Sequence, residues 1–301
     1  MINGFLLINK DSGITSSRVV QIVKKKFNFK KVGHLGTLDP MAEGLLILAI
    51  NRATKFSSLL LQSNKTYQAE VTLGQQTDTD DAEGEITSTH QVICHEQEVE
   101  EKLLSFLGES KQLAPAYSAL KHKGKPMYKY AREGIHVDKE ARTITIDEIT
   151  NISINLPKVS FNIACSKGTY IRSIARDLGN QLECGGHLSR LIRTSQEKFT
   201  INSAISIDEA REEDIIPLEN AFDNLNTITL NQLDADAFIN GVPLKLKIDH
   251  SDLLRVYDPS KKFIALVRPI TDNTVNKIPK IPRGANARSA KKKFFNNLLN
   301  S

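Results

Sequence analysis

Features that mark several other protein classes are scarce in this 301-residue chain. Its three cysteines, Cys94, Cys165 and Cys184, are odd in number and widely spaced, which argues against a disulfide framework. No cysteine and histidine have the spacing of a zinc site, so we expect no metal. The longest apolar runs, such as residues 45–50, are too short to cross a bilayer, and the N-terminus lacks a signal-peptide pattern. These absences predict a cytoplasmic protein without a membrane partner.

Acidic residues are missing from the C-terminal end. No aspartate or glutamate follows Asp272, whereas seven lysines and arginines do. The first 272 residues hold 33 basic and 35 acidic groups, so the formal net charge of +5 arises after them. Such a run is either a solvated tail or a surface for a polyanion such as RNA. The rest of the composition, with 40% hydrophobic and 25% charged residues, is that of a globular protein with room for one large and one small domain.

The loop at residues 31–46, KVGHLGTLDPMAEGLL, is the most informative stretch of the sequence. It places Asp39 between Leu38 and Pro40 among three glycines, and a continuous apolar run follows it. A carboxylate on a conformationally demanding loop beside a buried strand is typical of a catalytic group. An aspartate before a proline is, on chemistry alone, more often a turn or helix-cap residue. Both interpretations stay open on these residues alone.

Hydrophobic spacing predicts the main secondary-structure elements. Strands are predicted at 4–8, 44–50, 65–73 and 159–165, and helical faces at 19–27, 56–60, 99–107 and 171–182. The acidic stretch at 77–85 lacks the register of a calcium loop and is predicted to be a polar hairpin loop. From about residue 227 the predicted elements become short, with a hairpin about residues 258–261.

Residues 112–134 alternate basic side chains with tyrosines. Basic groups suit phosphates and aromatic faces suit bases, each stacked base contributing roughly 1–3 kcal/mol. Aromatic and basic residues also occur together in ordinary helices. The stretch is therefore a candidate RNA-binding segment and no more than that on its own.

Several of these stretches resemble one family. The segment HLGTLDP at 34–40 is similar to the signature loop of the bacterial tRNA pseudouridine synthases of the TruB family, which modify the T-loop uridine at position 55 of tRNA. Lys65-Thr-Tyr67 and the segments at 77–85, 112–134, 166–179 and 185–194 resemble the same family in the same order. Asp11 and Ala114 depart from it, since each stands where the family has a proline. These departures concern the stiffness of two loops.

The resemblance implies a fold and a division into domains. The fold is α+β, the pseudouridine synthase fold, with a mixed, largely antiparallel sheet flanked by helices. The catalytic domain would span residues 1–226, with an RNA-gripping insertion at about 112–142. A small PUA-like β-barrel would follow at 227–284, an assignment based mostly on its position, and a basic tail at 285–301.

The resemblance also implies an activity and a set of site residues. The protein would convert the T-loop uridine of tRNA to pseudouridine by base flipping, without a cofactor, and act as a monomer on the T-arm. Asp39 would be the nucleophile, Arg172 its ion-pair partner, and Tyr67 the residue that stacks on the flipped base. The further residues implied in substrate binding are His34, Lys55, Lys121, Arg132, Tyr170 and Leu191.

Two other functions fit the same sequence. One is a non-catalytic protein that binds or folds tRNA, and the other is a pseudouridine synthase that acts on another RNA. The set of Asp39, Tyr67, Tyr170 and Arg172 argues against the first, because a binding protein has no need of the carboxylate. Chain length and the segment at 112–134 argue against the second.

Overall fold

The structure is a computed structural model that describes residues 2–118, 120–135, 137, 140–242, 244–245, 253–271 and 274–277. The chain divides into two compact units between Pro217 and Leu218. The predicted domain limits at 226 and 284 stay predictions, and the basic tail lies outside the described residues. No helix in the described part of the chain is long and apolar enough to cross a membrane.

The first unit contains fourteen strands among its described residues. They are β1 Gly4–Lys10, β2 Val32–His34, β3 Glu43–Ile50, β4 Lys65–Leu73, β5 Gln75–Thr77, β6 Ile86–Thr89, β7 Gly108–Gln112, β8 Lys121–His122, β9 Lys125–Pro126, β10 Arg142–Asn155, β11 Lys158–Cys165, β12 Gly186–Gln196, β13 Phe199–Thr200 and β14 Ile216–Pro217. The helices are α1 Ser16–Lys26, α2 Ser57–Leu61, α3 Glu96–Leu104, α4 Met127–Arg132 and α5 Ile171–Gln181, with short 3-10 helices at Asn51–Lys55, Ile201–Ser203 and Glu212–Asp214.

Ten of these strands form one sheet in the described part of the unit. Its order is β14-β1-β3-β12-β4-β11-β10-β7, with β2 beside β3 and β13 beside β12. The β12–β3 pair is parallel and the other pairs are antiparallel. The predicted α+β class, with a mixed and largely antiparallel sheet flanked by helices, is therefore confirmed.

The apolar patterns place the predicted elements as expected. Residues 45–50 of β3 are fully buried, as a continuous apolar run in the middle of a sheet requires. Along β4 the side chains alternate, with Tyr67, Ala69, Val71 and Leu73 in the core. The alternation matters for the site, because β12 lies against β4 with Arg193 opposite Tyr67 and Leu191 opposite Ala69.

The second unit has a small core of its own. It contains α6 Leu218–Ala221, β15 Thr227–Thr229, α7 Gln232–Ile239, β16 Leu244–Lys245, β17 Leu254–Tyr257, β18 Phe263–Thr271 and β19 Thr274–Lys277. The strands form a sheet in the order β15-β17-β18-β19-β16. Antiparallel pairing of β17 with β18 confirms the predicted hairpin. The PUA-like assignment of this unit stays a prediction.

Candidate active site

The loop between β2 and β3 carries Asp39 and is fixed by its neighbours. Ser16 Oγ, at the start of α1, accepts a hydrogen bond from Leu38 N and donates one to Leu38 O, both at 2.9 Å. Pro40 O accepts from Gly13 N at 2.8 Å, and Ala42 N donates to Asp39 O at 3.1 Å. The backbone on both sides of the carboxylate is therefore held in place.

Lys10 supports this loop from within the protein. It ends β1, is fully buried, and its Nζ donates to Asp11 O, Ile14 O and Pro40 O at 2.9, 2.7 and 3.0 Å. Burial lowers the pKa of Lys10 to about 8. Asp11 thus contributes its carbonyl to the turn where the family has proline. The sequence analysis did not single out Lys10, although a lysine directly after a buried apolar strand was a signal.

Arg172 lies in the first turn of α5 and joins three parts of the unit. Its Nε is 3.0 Å from Asp39 Oδ2, and its Nη1 is 3.3 Å from Asp81 Oδ2. It also donates to Thr79 O at 3.0 Å and to Tyr117 O at 2.9 Å. One buried guanidinium therefore connects the Asp39 loop, the loop between β5 and β6, and the 112–134 segment.

Asp39 and Asp81 differ in exposure although they share Arg172. The Asp81 side chain is 4% exposed, whereas that of Asp39 is 34% exposed and is the accessible carboxylate of the pair. Burial raises the pKa of Asp39 above its ordinary value, Arg172 opposes the rise, and the charge of Asp81 adds to it. Arg172 thus favours the ionised form of Asp39, as expected, but does not cancel the effect of burial.

Asp81 is a residue of the site that the sequence analysis missed. The hairpin loop between β5 and β6 was predicted, but not its role in holding a buried carboxylate. Thr79 Oγ1 donates to Asp81 Oδ1 at 2.6 Å and Glu83 N donates to the same atom at 3.1 Å. The signal was an acidic run, TDTDD at 77–81, with no basic residue nearby in sequence to neutralise it.

Tyr67 lies on the sheet beside Leu191 and is 8% exposed. Burial raises the pKa of its hydroxyl to about 12, and the charge of Arg193 opposes this rise. The charge of Asp39 adds to the rise in the pKa of the Tyr67 hydroxyl. β4 and β12 thus place a tyrosine and a leucine on the same face of the sheet.

Tyr170 stands at the N-cap of α5, two residues before Arg172. Its side chain is partly buried, and burial raises its pKa, with Arg142 and Arg172 opposing and Asp39 adding to the rise. Gln112 Nε2 donates to Tyr170 O at 3.1 Å and Gln112 Oε1 accepts from Tyr170 N at 2.8 Å. The start of the predicted insertion is therefore bound directly to the start of α5.

The remaining predicted site residues, His34, Arg132, Lys55 and Lys121, each lie in a different element. His34 ends β2, and burial and the charge of Arg193 lower its pKa, so its ring is neutral at physiological pH. Arg132 ends α4 with its guanidinium 5.5 Å from the centre of the Tyr128 ring. Lys55 is exposed at the end of a 3-10 helix and none of the contacts above involves it. For Lys121 the structure describes only the backbone, in β8.

The residues described by the structure include no group of three or more histidine, cysteine, aspartate or glutamate side chains placed to hold a metal ion. The carboxylates of the site face Arg172 and Lys10 instead. The arrangement offers one accessible carboxylate with a buried cation behind it, bordered by aromatic and aliphatic side chains. Chemically, this suits a nucleophile or base acting on a planar ligand.

Comparison with known proteins identifies the family. The model of the TruB family pseudouridylate synthase N-terminal domain matches residues 24–171. The tRNA pseudouridine synthase B of Alkaliphilus oremlandii is 43% identical over 244 residues, which cover 79% of this chain and 82% of that protein. The chain belongs to the TruB family. A second TruB relative, the tRNA pseudouridine synthase B of Burkholderia pseudomallei, is 39% identical over 281 residues, or 89% of this chain and 93% of that protein.

Solved structures agree with the TruB assignment at the level of the fold. A chain of the crystal structure of a Cbf5-Nop10-Gar1 complex matches with a TM-score of 0.68 and 24% identity, covering 92% of this chain and 84% of that chain. A chain of an H/ACA RNP bound to a substrate RNA containing 2'-deoxyuridine matches with a TM-score of 0.67 and 23% identity, covering 94% and 86%. The TruB family match includes Asp39, Tyr67 and Tyr170, and Arg172 is the next residue after it.

Proposed function

We propose that this TruB chain converts the T-loop uridine at position 55 of tRNA to pseudouridine. The observation that carries the proposal is the accessible carboxylate of Asp39, paired with buried Arg172 beside Tyr67. The curated relatives at 43% and 39% identity, both tRNA pseudouridine synthases B, support it. The roles of the individual residues and the choice of uridine belong to the proposal.

The reaction is an isomerisation and needs no external reagent. The bond between C1′ of the ribose and N1 of uracil breaks, and a new bond forms between C1′ and C5. The proton lost from C5 is balanced by one gained at N1. A group that forms and later releases a covalent bond can divide this exchange into two easier steps, and a carboxylate can do so. Asp39 is the group proposed for this role.

Arg172 would keep that carboxylate ready for reaction. A guanidinium is charged at every accessible pH, so it favours the ionised form of Asp39 against the effect of burial. It also fixes the direction of the carboxylate, because Asp81, Thr79 O and Tyr117 O hold the guanidinium from other sides. The nucleophile can then act without first being ordered.

The uridine has to leave the folded T-loop to reach Asp39. Flipping a base out costs a few kcal/mol, which stacking inside the site can offset. Tyr67 would stack on the flipped uracil, with Tyr170 and Leu191 completing the pocket and His34 filling the place that the base leaves. The neutral His34 ring suits this last role, since it adds no charge among stacked bases.

The test is to incubate the purified protein with an unmodified tRNA transcript and to map pseudouridine by base-specific chemical labelling. We expect one new pseudouridine, in the T-loop. Asp39→Asn should yield no product while binding tRNA within a few-fold of the wild type. Asp177, which is ion-paired to Arg176 on α5, provides a matched control, because Asp177→Asn should retain activity.

Each other outcome rejects a defined part of the proposal. Tight binding of tRNA with no product would favour the non-catalytic tRNA-binding function. Product at another position would retain the chemistry and change the substrate. Appreciable product from Asp39→Asn would remove Asp39 from the role of nucleophile.

A further inference from the structure

Arg176 is a second arginine of α5 that binds the loop between β5 and β6. It lies one helical turn after Arg172, on the same face of the helix. Its Nη1 is 3.1 Å from Asp80 Oδ2. One turn earlier, Nη1 of Arg172 is 3.3 Å from Asp81 Oδ2. Two consecutive carboxylates of one loop therefore pair with two arginines that are one turn apart.

This pairing depends on a turn of the backbone at Asp80. Successive side chains of an extended chain point in opposite directions, so two neighbouring aspartates reach one helix face only where the chain turns. Asp80 has a positive φ of 62°, in the left-handed region that residues other than glycine seldom adopt. Its carbonyl accepts a hydrogen bond from Leu188 N at 3.1 Å. Thus β12 holds the backbone of the turn, and Arg176 holds its side chain.

We infer that Arg176 is a positioning residue, which holds Asp80 in its left-handed turn and so directs Asp81 to its partner on α5. That partner, Arg172, lies with its Nε 3.0 Å from Asp39 Oδ2. The effect of Arg176 thus reaches the proposed nucleophile through two aspartates and one arginine. This inference rests on the proposed function, because it assumes that Asp39 reacts with the substrate.

Partial burial strengthens the ion pair between Arg176 and Asp80. The Arg176 side chain is 22% exposed and that of Asp80 is 15% exposed. Water screens opposite charges less at such positions than on an open surface, so the pair can hold a backbone conformation that is unfavourable on its own. Arg176 Nε also donates to Asp177 Oδ1 at 2.9 Å. Both of these residues lie on α5, so that contact does not connect the helix to the loop.

Arg176 has one further contact with another segment. Its Nη2 donates to Leu113 O at 3.2 Å, at the start of the 112–134 segment. Ser173 Oγ donates to the same carbonyl at 2.9 Å, so Leu113 O keeps a donor when Arg176 is replaced. Loss of Arg176 should therefore affect the Asp80 turn more than the 112–134 segment. We expect it to slow the reaction more than it weakens tRNA binding.

The kinetic test is a double-mutant cycle between Arg176→Gln and Asp80→Asn. The readouts are the single-turnover rate constant at saturating tRNA and, separately, the Kd for tRNA. Arg176→Gln should lower the rate constant by about tenfold or more and change the Kd by less than about threefold. In the Asp80→Asn background it should lower the rate constant by less than about threefold. Arg211→Gln is the matched control, because Arg211 forms an exposed ion pair with Glu213, and it should change neither readout.

Three outcomes of this cycle would overturn the inference. One is an equal loss of rate in both backgrounds. Another is a higher Kd with an unchanged rate constant, which would assign Arg176 to the 112–134 segment. The third is a lower melting temperature with both readouts unchanged, which is the result expected of an arginine that serves stability alone.

A pair of variants at residue 80 tests the left-handed turn without replacing Arg176. Asp80→Ala and Asp80→Gly both remove the ion pair, but only glycine adopts a positive φ without a steric penalty. If the turn transmits the effect of Arg176, Asp80→Gly should retain clearly more of the single-turnover rate than Asp80→Ala. Equal rates for the two variants would overturn the inference.

A crystal structure of Arg176→Gln tests the same contact without any measurement of activity. We expect residue 80 to leave the left-handed region and the distance between Arg172 Nη1 and Asp81 Oδ2 to exceed about 4 Å. An unchanged φ at residue 80 and an unchanged distance would overturn the inference. If both changes are found and the wild type forms no pseudouridine, the proposed function fails while the positioning of Asp81 by Arg176 stands.

Discussion

At the scale of single residues, the site combines two carboxylates with one guanidinium. Arg172 is within 3.3 Å of both Asp39 and Asp81, so one negative charge stays uncompensated by Arg172. Lys10, whose pKa burial lowers to about 8, supplies a further positive charge nearby. Because burial raises the pKa of Asp39, ionisation of this carboxylate lowers the stability of the fold.

This effect of Asp39 ionisation leads to a prediction for the melting temperature. The pKa of Asp39 is higher in the folded than in the unfolded protein, so its ionised form destabilises the fold relative to its neutral form. At neutral pH, Asp39→Asn should leave the melting temperature unchanged or raise it, because Arg172 keeps Asp81 and two carbonyls. The difference in melting temperature between Asp39→Asn and the wild type should vanish as the pH falls through the raised pKa of Asp39. Calorimetry from pH 4 to 7 measures this.

Asp81→Asn is the matched comparison. Asp81 binds Arg172, Thr79 Oγ1 and Glu83 N while almost fully buried, and an amide can replace only part of this. We expect its melting temperature to fall. If Asp39→Asn were the less stable of the two variants, the conclusion that the ionised form of Asp39 destabilises the fold would be wrong.

The same pair predicts a pH dependence. Because the charge of Asp81 contributes to the raised pKa of Asp39, removing it should lower that pKa. In the proposed mechanism the rate depends on ionised Asp39, so it should fall as the pH falls through the pKa of Asp39. In Asp81→Asn the rate should therefore fall at a lower pH than in the wild type, as measured by single-turnover rates between pH 4.5 and 8. A fall at the same pH as in the wild type, or at a higher pH, would contradict the contribution of Asp81 to the pKa of Asp39.

At the scale of elements, the close packing of β3 against β12 requires a glycine. Gly44 has a φ of +95°, and a Cβ on it would lie 2.5 Å from Arg193 O. Gly13, by contrast, has a φ of +82°, and a Cβ added there would meet no other atom within 4 Å. The two positions differ in their surroundings and share a left-handed backbone.

This difference gives a matched pair of variants. Gly13→Ala should cost about 1–2 kcal/mol in free energy of unfolding, the expense of a left-handed backbone alone. Gly44→Ala should cost clearly more, because the backbone of β12 has to move, and it should also reduce activity. Urea denaturation of both variants measures the difference in their free energies of unfolding. An equal loss of stability in the two variants would show that the close contact between β3 and β12 tolerates a methyl group at residue 44.

Sequence patterns predicted elements better than they predicted contacts. The buried run of β3, the alternation of β4 and the apolar face of α5 depend on local spacing, and each was confirmed. Asp81 and Arg193 were missed because the contacts that bury them are distant in sequence, Arg172 for Asp81 and the carbonyls of Gly36 and Leu45 for Arg193. A charged residue in a loop or strand is expected to be exposed, and the neighbouring residues in the sequence do not show that it is buried.

The site residues implied by the motif resemblance stay a prediction, and the structure brings some of them together. Arg172 pairs with Asp39, Tyr67 and Leu191 share one face of β4 and β12, and Tyr170 lies two residues before Arg172. Lys55 lies apart from those contacts. Its position depends on where a surface helix ends, which a motif does not specify.

At the scale of the whole molecule, the charge is segregated more strongly than the C-terminal tail alone suggests. Between residues 12 and 69 only Asp39 and Glu43 are acidic, whereas nine residues are lysine or arginine. Lys24, Lys25, Lys30 and Lys31 are exposed, with no ion pair among the described residues. Their segment leads through β2 directly into the Asp39 loop.

We expect these lysines to contact phosphates of the tRNA. The variant Lys24→Glu/Lys30→Glu should weaken binding and flatten its salt dependence by about 0.7–0.9 per lost contact in the log–log slope. Lys102→Glu/Arg211→Glu is the control with the same charge change, at two positions with acidic residues nearby in sequence. Filter binding at several salt concentrations distinguishes them, and an identical slope for both variants would exclude a role for the lysine segment.

The link between Arg172 and the 112–134 segment has a consequence for fidelity. Arg172 donates to Tyr117 O, and Gln112 bonds to the backbone of Tyr170, so the segment expected to grip RNA is joined to the residue proposed to orient the nucleophile. An RNA that displaced this segment as it bound would break these bonds and leave Asp39 misaligned. Near-cognate RNAs should therefore be rejected by slow chemistry rather than by weak affinity, and the enzyme can survey many RNAs while modifying few.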